Sequence, residues 1–219
     1  MSRTTYNQAL NKLKEDIVKM GDLVFDRIGQ AIEAFQTNNL ELAQHLIKTD
    51  DEVDNYEEDI AKQCINIIWK EQPIATDLRL VTGILKMVTD LERIGDHVVD
   101  ISEITLDLAG HQFEQNLSII TTMVNQATKM IKDSVDALVN IDVIKARLTI
   151  ENDDIIDENY SKLIKTVSDW IKINPTGSEN VISILLVGKY LERVADHSVN
   201  IAEWVIFIAT GTHKRVQLF

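Results

Sequence analysis

Acidic side chains stand four residues apart at four places in this chain: Asp50 with Asp54, Glu92 with Asp96, Asp153 with Asp157, and Glu192 with Asp196. On an α-helix that spacing puts both carboxylates on one face, where like charges repel by a few tenths of a kcal/mol if solvated. Carboxylates drawn partly out of water need more than solvent. They need a cation, a hydrogen-bond network or a proton. Oxygen-only ligand sets of this kind suit hard cations such as Mg, Ca and Mn, and extend to Fe and Zn. Asp100 and Asn200, one turn beyond the second and fourth pairs, could add oxygens, as could Glu57. The alternative is that these acids lie on solvated faces, paired with Arg93, Arg193 or lysines. His97 and His197 each follow a motif Asp, about 100° round the helix from it, which makes them weaker ligand candidates than the carboxylates. His45, His111 and His213 have no such context.

The elements that carry these residues are read from hydrophobic spacing. Apolar residues recur at three- and four-residue intervals nearly throughout, and breakers are scarce, with 8 Gly and 2 Pro in 219 residues. That pattern predicts long amphipathic helices. Six are expected, at about 6–36, 40–70, 75–108, 115–139, 143–173 and 178–210, with Gly110 and Gly211 as C-terminal caps. Leu91-Glu92-Arg93-Ile94-Gly95-Asp96-His97 returns as Leu191-Glu192-Arg193-Val194-Ala195-Asp196-His197, an offset of 192 − 92 = 100. Asp50-Asp51-Glu52-Val53-Asp54 returns as Asp153-Asp154-Ile155-Ile156-Asp157, an offset of 153 − 50 = 103. This is an internal duplication. The expected fold is all-α, two tandem three-helix up-down-up bundles, residues 1–110 and 111–219.

In the second predicted helix Leu46, Val53, Ile60 and Ile67 form a seam flanked by Ala43, Asp50, Glu57 and Cys64, so Asp50 and Glu57 occupy core-type positions. Asp153 interrupts the matching row of Ala146, Tyr160 and Val167 in the fifth. If the first inter-helix turn centres near Gln72, Asp54 precedes it by 72 − 54 = 18 residues and Glu92 follows by 92 − 72 = 20. The corresponding figures about Asn174 are 17 for Asp157 and 18 for Glu192. Each half should therefore gather its four carboxylates at one depth. Gly95 and Ala195 are small residues on the apolar stripe, suited to close helix approach. Trp69, Trp170 and Trp204 read as core or interface residues.

Composition narrows the functional classes. With 35 acidic against 22 basic residues the formal charge is −13, a field that repels nucleic-acid phosphate. A single cysteine, Cys64, fits a reducing compartment. No apolar run reaches the length of a membrane span and the N-terminus turns polar at once, so direct membrane insertion is not expected. Phosphate-binding glycine loops, a Gly-x-Ser-x-Gly elbow and the Glu-x-x-His pair of di-iron bundles are missing from the sequence.

The motifs together resemble the PhoU family, over nearly the whole chain. Gln72-Pro73-Ile74-Ala75-Thr76-Asp77-Leu78-Arg79 looks like that family's first proline turn. Glu92-Arg93-Ile94-Gly95-Asp96 looks like its first signature, and Glu192-Arg193-Val194-Ala195-Asp196 like its second, with Val-Ala where Ile-Gly is usual. Asp50 and Asp153 match its acids on the second helix of each repeat. The resemblance implies a cytoplasmic, dimeric, non-enzymatic regulator of phosphate uptake and phosphate-starvation signalling. It implies iron or zinc on the acidic motifs, and partners in a phosphate ABC transporter ATPase and a sensor histidine kinase. Two rivals compete with that reading: a di-metal carboxylate oxidoreductase on a helical bundle, and a metal-free helical adaptor.

Overall fold

The computed structural model describes residues 3–109, 118–173, 178–214 and 216–217. Eight helices follow in order: α1 (Arg3–Thr37), α2 (Leu40–Lys48), α3 (Asp51–Glu71), α4 (Ala75–Asp107), α5 (Ser118–Asn140), α6 (Val143–Glu151), α7 (Asp153–Ile173) and α8 (Ser178–Thr210). α1 packs on α3 and α4, and α5 on α7 and α8, making two three-helix bundles. The expected cap at Gly110, the repeat boundary beside it, the start of the fourth predicted helix, and the turn at Asn174 and Pro175 lie outside the described residues.

The long second and fifth helices read from the sequence are each broken in two. α2 stops at Thr49, whose N–H donates to His45 O, and α3 starts from Asp50, with φ −62° and ψ −36°. α6 stops at Asn152 and α7 begins at Asp153. The reason is local. Asp51, Glu52 and Asp54 crowd the first turn of α3, and Asp153 and Asp154 that of α7. Acids are stabilised at the positive end of a helix dipole, so each cluster favours a fresh helix start over an unbroken turn. The Thr49 hydroxyl also donates to His45 O at 2.9 Å, offering the backbone an alternative to continuing. Arg27 of α1, 4% exposed, fixes the first break by donating to Leu46 O at 2.7 Å and Thr49 Oγ1 at 3.0 Å.

The predicted seam holds. Ala43, Leu46, Val53, Ile60, Cys64 and Ile67 are buried, while Asp50 and Glu57 in the same rows are half-buried. Each fully buried aliphatic side chain contributes roughly 1.5–3 kcal/mol. Gln72, with φ 49°, turns the chain between α3 and α4, where the sequence placed the turn.

The halves join along α4 against α8 and α1 against α5. Small residues set the spacing. A Cβ on Gly83 of α4 would lie 2.6 Å from Ile208 Cγ1 of α8, and one on Gly21 of α1 would lie 2.8 Å from Val135 Cγ2 of α5. After α8, Gly211 at φ 80° reverses the chain and donates to Phe207 O at 2.7 Å. A two-residue ladder that sequence reading did not anticipate follows: β1 (Thr212–His213) pairs antiparallel with β2 (Val216–Gln217). His213 stacks on Trp204 with ring centres 3.8 Å apart, which seats this hairpin on α8. No helix among the described residues is long and apolar enough to cross a membrane.

Candidate site: paired carboxylates beside an inter-repeat cleft

The α2–α3 break presents Asp50 to α4, and the α6–α7 break presents Asp153 to α8. In the first half Asp50 is held above the usual carboxylate range, by burial first and then by the charges of Asp54 and Asp96, with Arg27 opposing. Glu92 is raised by burial and by Asp96, Asp54 and Glu57, with Arg93 opposing. The same set forms in the second half. Asp153 is pushed up to about 6 by burial and by Asp196, Asp157 and Glu192. Asp196 is raised by burial, Glu192 and Asp157, and lowered by Lys189 and His197. The four acids predicted for each half therefore share one electrostatic neighbourhood, as do Glu57 and Glu92.

Close helix approach makes this possible. A Cβ on Gly95, between Glu92 and Asp96 on α4, would lie 2.9 Å from Val53 Cγ1 on α3. The small residue thus brings α3 against α4 beside the acids, and buried Ala195 occupies the matching place on α8.

The surface-pairing alternative also has a share. Arg93 meets Asp96 at 2.8 Å and Glu92 at 3.4 Å, and Lys189 meets Glu192 at 2.5 Å. These cations are partly exposed and such pairs are worth about 0–1 kcal/mol. They leave Asp153 Oδ1 buried with no hydrogen-bond partner. An orphaned carboxylate oxygen surrounded by other carboxylates fits a hard or borderline cation, so the donor set agrees with metal binding. Among the described residues, no three of His, Cys, Asp and Glu are already gathered as a ready ligand set.

One buried difference between the halves bears on the acids. By the offset of 103, Arg27 of α1 corresponds to Met130 of α5, and both are buried. Arg27 opposes the rise at Asp50, whereas no buried cation stands in its place beside Asp153.

Between α4 and α8 lies a cleft of about 870 Å³ reached by both signatures. Asp50, Asp96 and Asp196 line it, together with Arg93, Arg193, His97 and His197. Asp100 and Asn200, proposed from sequence as extra oxygens for the acid sets, are engaged here. Asp100 holds His97 Nδ1 at 2.9 Å, while Asn200 donates to Asp90 at 3.1 Å and accepts from Lys214 at 3.3 Å. His197 Nδ1 reaches across to Asp90 at 2.9 Å. Asp90, Arg27 and Lys214 are the residues that motif reading missed. Asp90 stands seven before His97, as Tyr190 stands seven before His197, so heptad spacing alone could have placed it on the cleft face.

Two side-by-side three-helix bundles, each with a carboxylate set between its second and third helices, define a tandem-repeat helical scaffold. The PhoU domain family profile matches residues 17–105 and 120–205, and the chain belongs to that family. It is 33% identical to the phosphate-specific transport system accessory protein PhoU homolog of Clostridium acetobutylicum, covering 100% of this chain and 99% of that one. It is 37% identical to the protein of that name in Aquifex aeolicus, over 92% and 91% of the two chains. The crystal structure of PhoU from Pseudomonas aeruginosa superposes with a TM-score of 0.90 at 29% identity, over 94% of this chain and 100% of that one. The phosphate transport system regulatory protein PhoU from Streptococcus pneumoniae gives 0.89 at 26%, over 96% and 100%. These relatives are described as accessory and regulatory proteins, and this chain is a regulator of that family, not an enzyme.

Proposed function

We propose that this chain regulates phosphate transport by binding, with cations held at its two acid sets and its surfaces docking a phosphate ABC transporter ATPase and a sensor histidine kinase. The accessory and regulatory roles named for relatives that match the chain end to end support the phosphate-transport part. The observation that carries the metal part is the doubled meeting of acids: Asp50 and Asp54 with Glu92 and Asp96, and Asp153 and Asp157 with Glu192 and Asp196.

A bound Fe or Zn ion, or Mg, Ca or Mn, supplies the positive charge these carboxylates lack. The protein's own residues do the rest. α3 and α7 present their acids from a helix start, where the dipole already favours negative charge. Gly95 lets α3 approach α4, and Ala195 stands at the matching place on α8. With its acids neutralised, each face is fixed for docking, and partner engagement damps uptake when phosphate is plentiful. On this reading the protein works as a homodimer in the cytoplasm, reaching the membrane only through its partners.

Two measurements test it. Elemental analysis of protein purified without chelator should find metal. Substituting Asp50, Asp54, Glu92 and Asp96 together by Asn or Gln should remove the first half's share alone. Metal content unchanged by those substitutions would show the acid assignment to be wrong. Pull-down from phosphate-replete and phosphate-starved cells should recover the transporter ATPase or the kinase, and recovery of neither would count against the docking role.

A further inference from the structure

The two histidines of the signatures lie outside the acid sets, and their placement is specific. His97 on α4 and His197 on α8 face each other across the repeat interface with ring centres 5.8 Å apart and planes inclined at 40°. Each ring has its Nδ1 on a carboxylate at 2.9 Å: His97 on Asp100 of its own helix, His197 on Asp90 of the opposite repeat. A carboxylate only accepts, so Nδ1 of each ring donates to it, and in the neutral form of such a ring Nε2 is left with the lone pair. His97 is 7% exposed, lines the cleft, and its Nε2 is buried without any partner. A buried ring nitrogen with nothing to bond is costly unless something fills the position.

Imidazole ligands of a metal commonly carry a carboxylate on the far nitrogen, which fixes tautomer and ring orientation, and Asp100 and Asp90 stand in that position here. The separation agrees as well. With a metal–nitrogen bond of about 2.1 Å, a shared ion sits roughly 3.2 Å from each ring centre, so tetrahedral to wider angles place the centres roughly 5–6 Å apart. Six carboxylates line the cleft against the three cations Arg93, Arg193 and Lys214, so its balance is negative and favours a cation. Imidazole nitrogen prefers borderline ions over hard ones. We infer that His97 and His197 hold one borderline divalent cation of the zinc, copper and nickel class through Nε2, bridging the two repeats at a site separate from the carboxylate sets, with Asp100 and Asp90 as positioning residues. Because one ligand comes from each repeat, occupancy would tie α4 to α8. The proposal does not depend on metal at the acid pairs.

The test uses the full chain stripped with chelator and loaded with one equivalent of Cu²⁺, read by pulsed electron paramagnetic resonance. The expected signal has two coordinated imidazoles. His97→Asn and His197→Asn should each abolish the two-imidazole signature and weaken copper binding at least tenfold. Asp153→Asn with Asp157→Asn should leave it intact. Asp90→Asn should weaken binding by roughly 10–100-fold, the usual effect of removing such a carboxylate. Since His97 is buried, a misfolded His97→Asn protein leaves the partly exposed His197 to carry the result. A wild-type spectrum with one imidazole or none overturns the proposal. So does a two-imidazole signal that survives His197→Asn, because it then arises from His45, His111 or His213. Loss of the signal in the Asp153 and Asp157 variant would also overturn it, by placing the copper in the acid set.

Discussion

Asp153 carries the strongest electrostatic burden of the acid residues, held at about 6 against an ordinary 3.8. A carboxyl whose folded pKa lies above its unfolded one favours folding when protonated. Its penalty is absent below the unfolded value, grows as pH rises towards 6, and is complete above that. In chelator-stripped protein, Asp153→Asn should therefore raise stability at pH 7 and make little difference at pH 3.5. After discounting for partial exposure the gain is about 1 kcal/mol. Thermal denaturation across that range checks it, and an equal effect at both pH values would refute the electrostatic account. In metal-loaded protein the same substitution should destabilise, because the lost ligand outweighs the relieved repulsion. Arg27→Met makes the first half resemble the second by removing the cation that opposes Asp50. It should cost about 2 kcal/mol from the lost bonds to Leu46 and Thr49. It should also raise cation affinity at the first acid set, measurable by titration calorimetry.

At the scale of elements, the site depends on two helix breaks and one close approach. Asp50 and Asp153 work from the first turns of α3 and α7, not from within long helices. Gly95 is the spacing element between α3 and α4. Its virtual Cβ presses on the Val53 side chain rather than on backbone, and Ala195 serves at the matching position. Gly95→Ala should thus cost under about 1 kcal/mol and keep metal content. Gly95→Leu should cost about 1–3 kcal/mol by overpacking and deplete the first half's metal. Denaturant unfolding with elemental analysis separates the two. Full metal retention in Gly95→Leu would mean the helix spacing does not govern the site.

For the molecule as a whole, the repeats form one body through α4 on α8 and α1 on α5. Gly83 permits the first of these contacts, and the bond of His197 to Asp90 crosses it. Gly83→Leu should wedge α4 from Ile208, lower stability by about 1–3 kcal/mol, and split a single cooperative transition into two. Calorimetry reads the number of transitions, and one unchanged peak would show that the halves do not depend on this contact.

Much of this was written along the chain. Apolar spacing determined the helices, the 100- and 103-residue offsets determined the duplication, and equal distances from Gln72 placed Asp54 beside Glu92 in depth. Those features are periodic or local, and a single strand of sequence carries them. Even the breaks at Thr49 and Asn152 have a local signal in the clustered acids that follow, although the hydrophobic seam runs unbroken across them. Tertiary structure alone decided how the repeats face each other. The pairing of His197 with Asp90, 107 residues apart, and the approach of His97 to His197 depend on how α4 lies against α8. That angle is set by side-chain packing summed over two whole helices, such as Gly83 against Ile208, and no spacing within either helix encodes it.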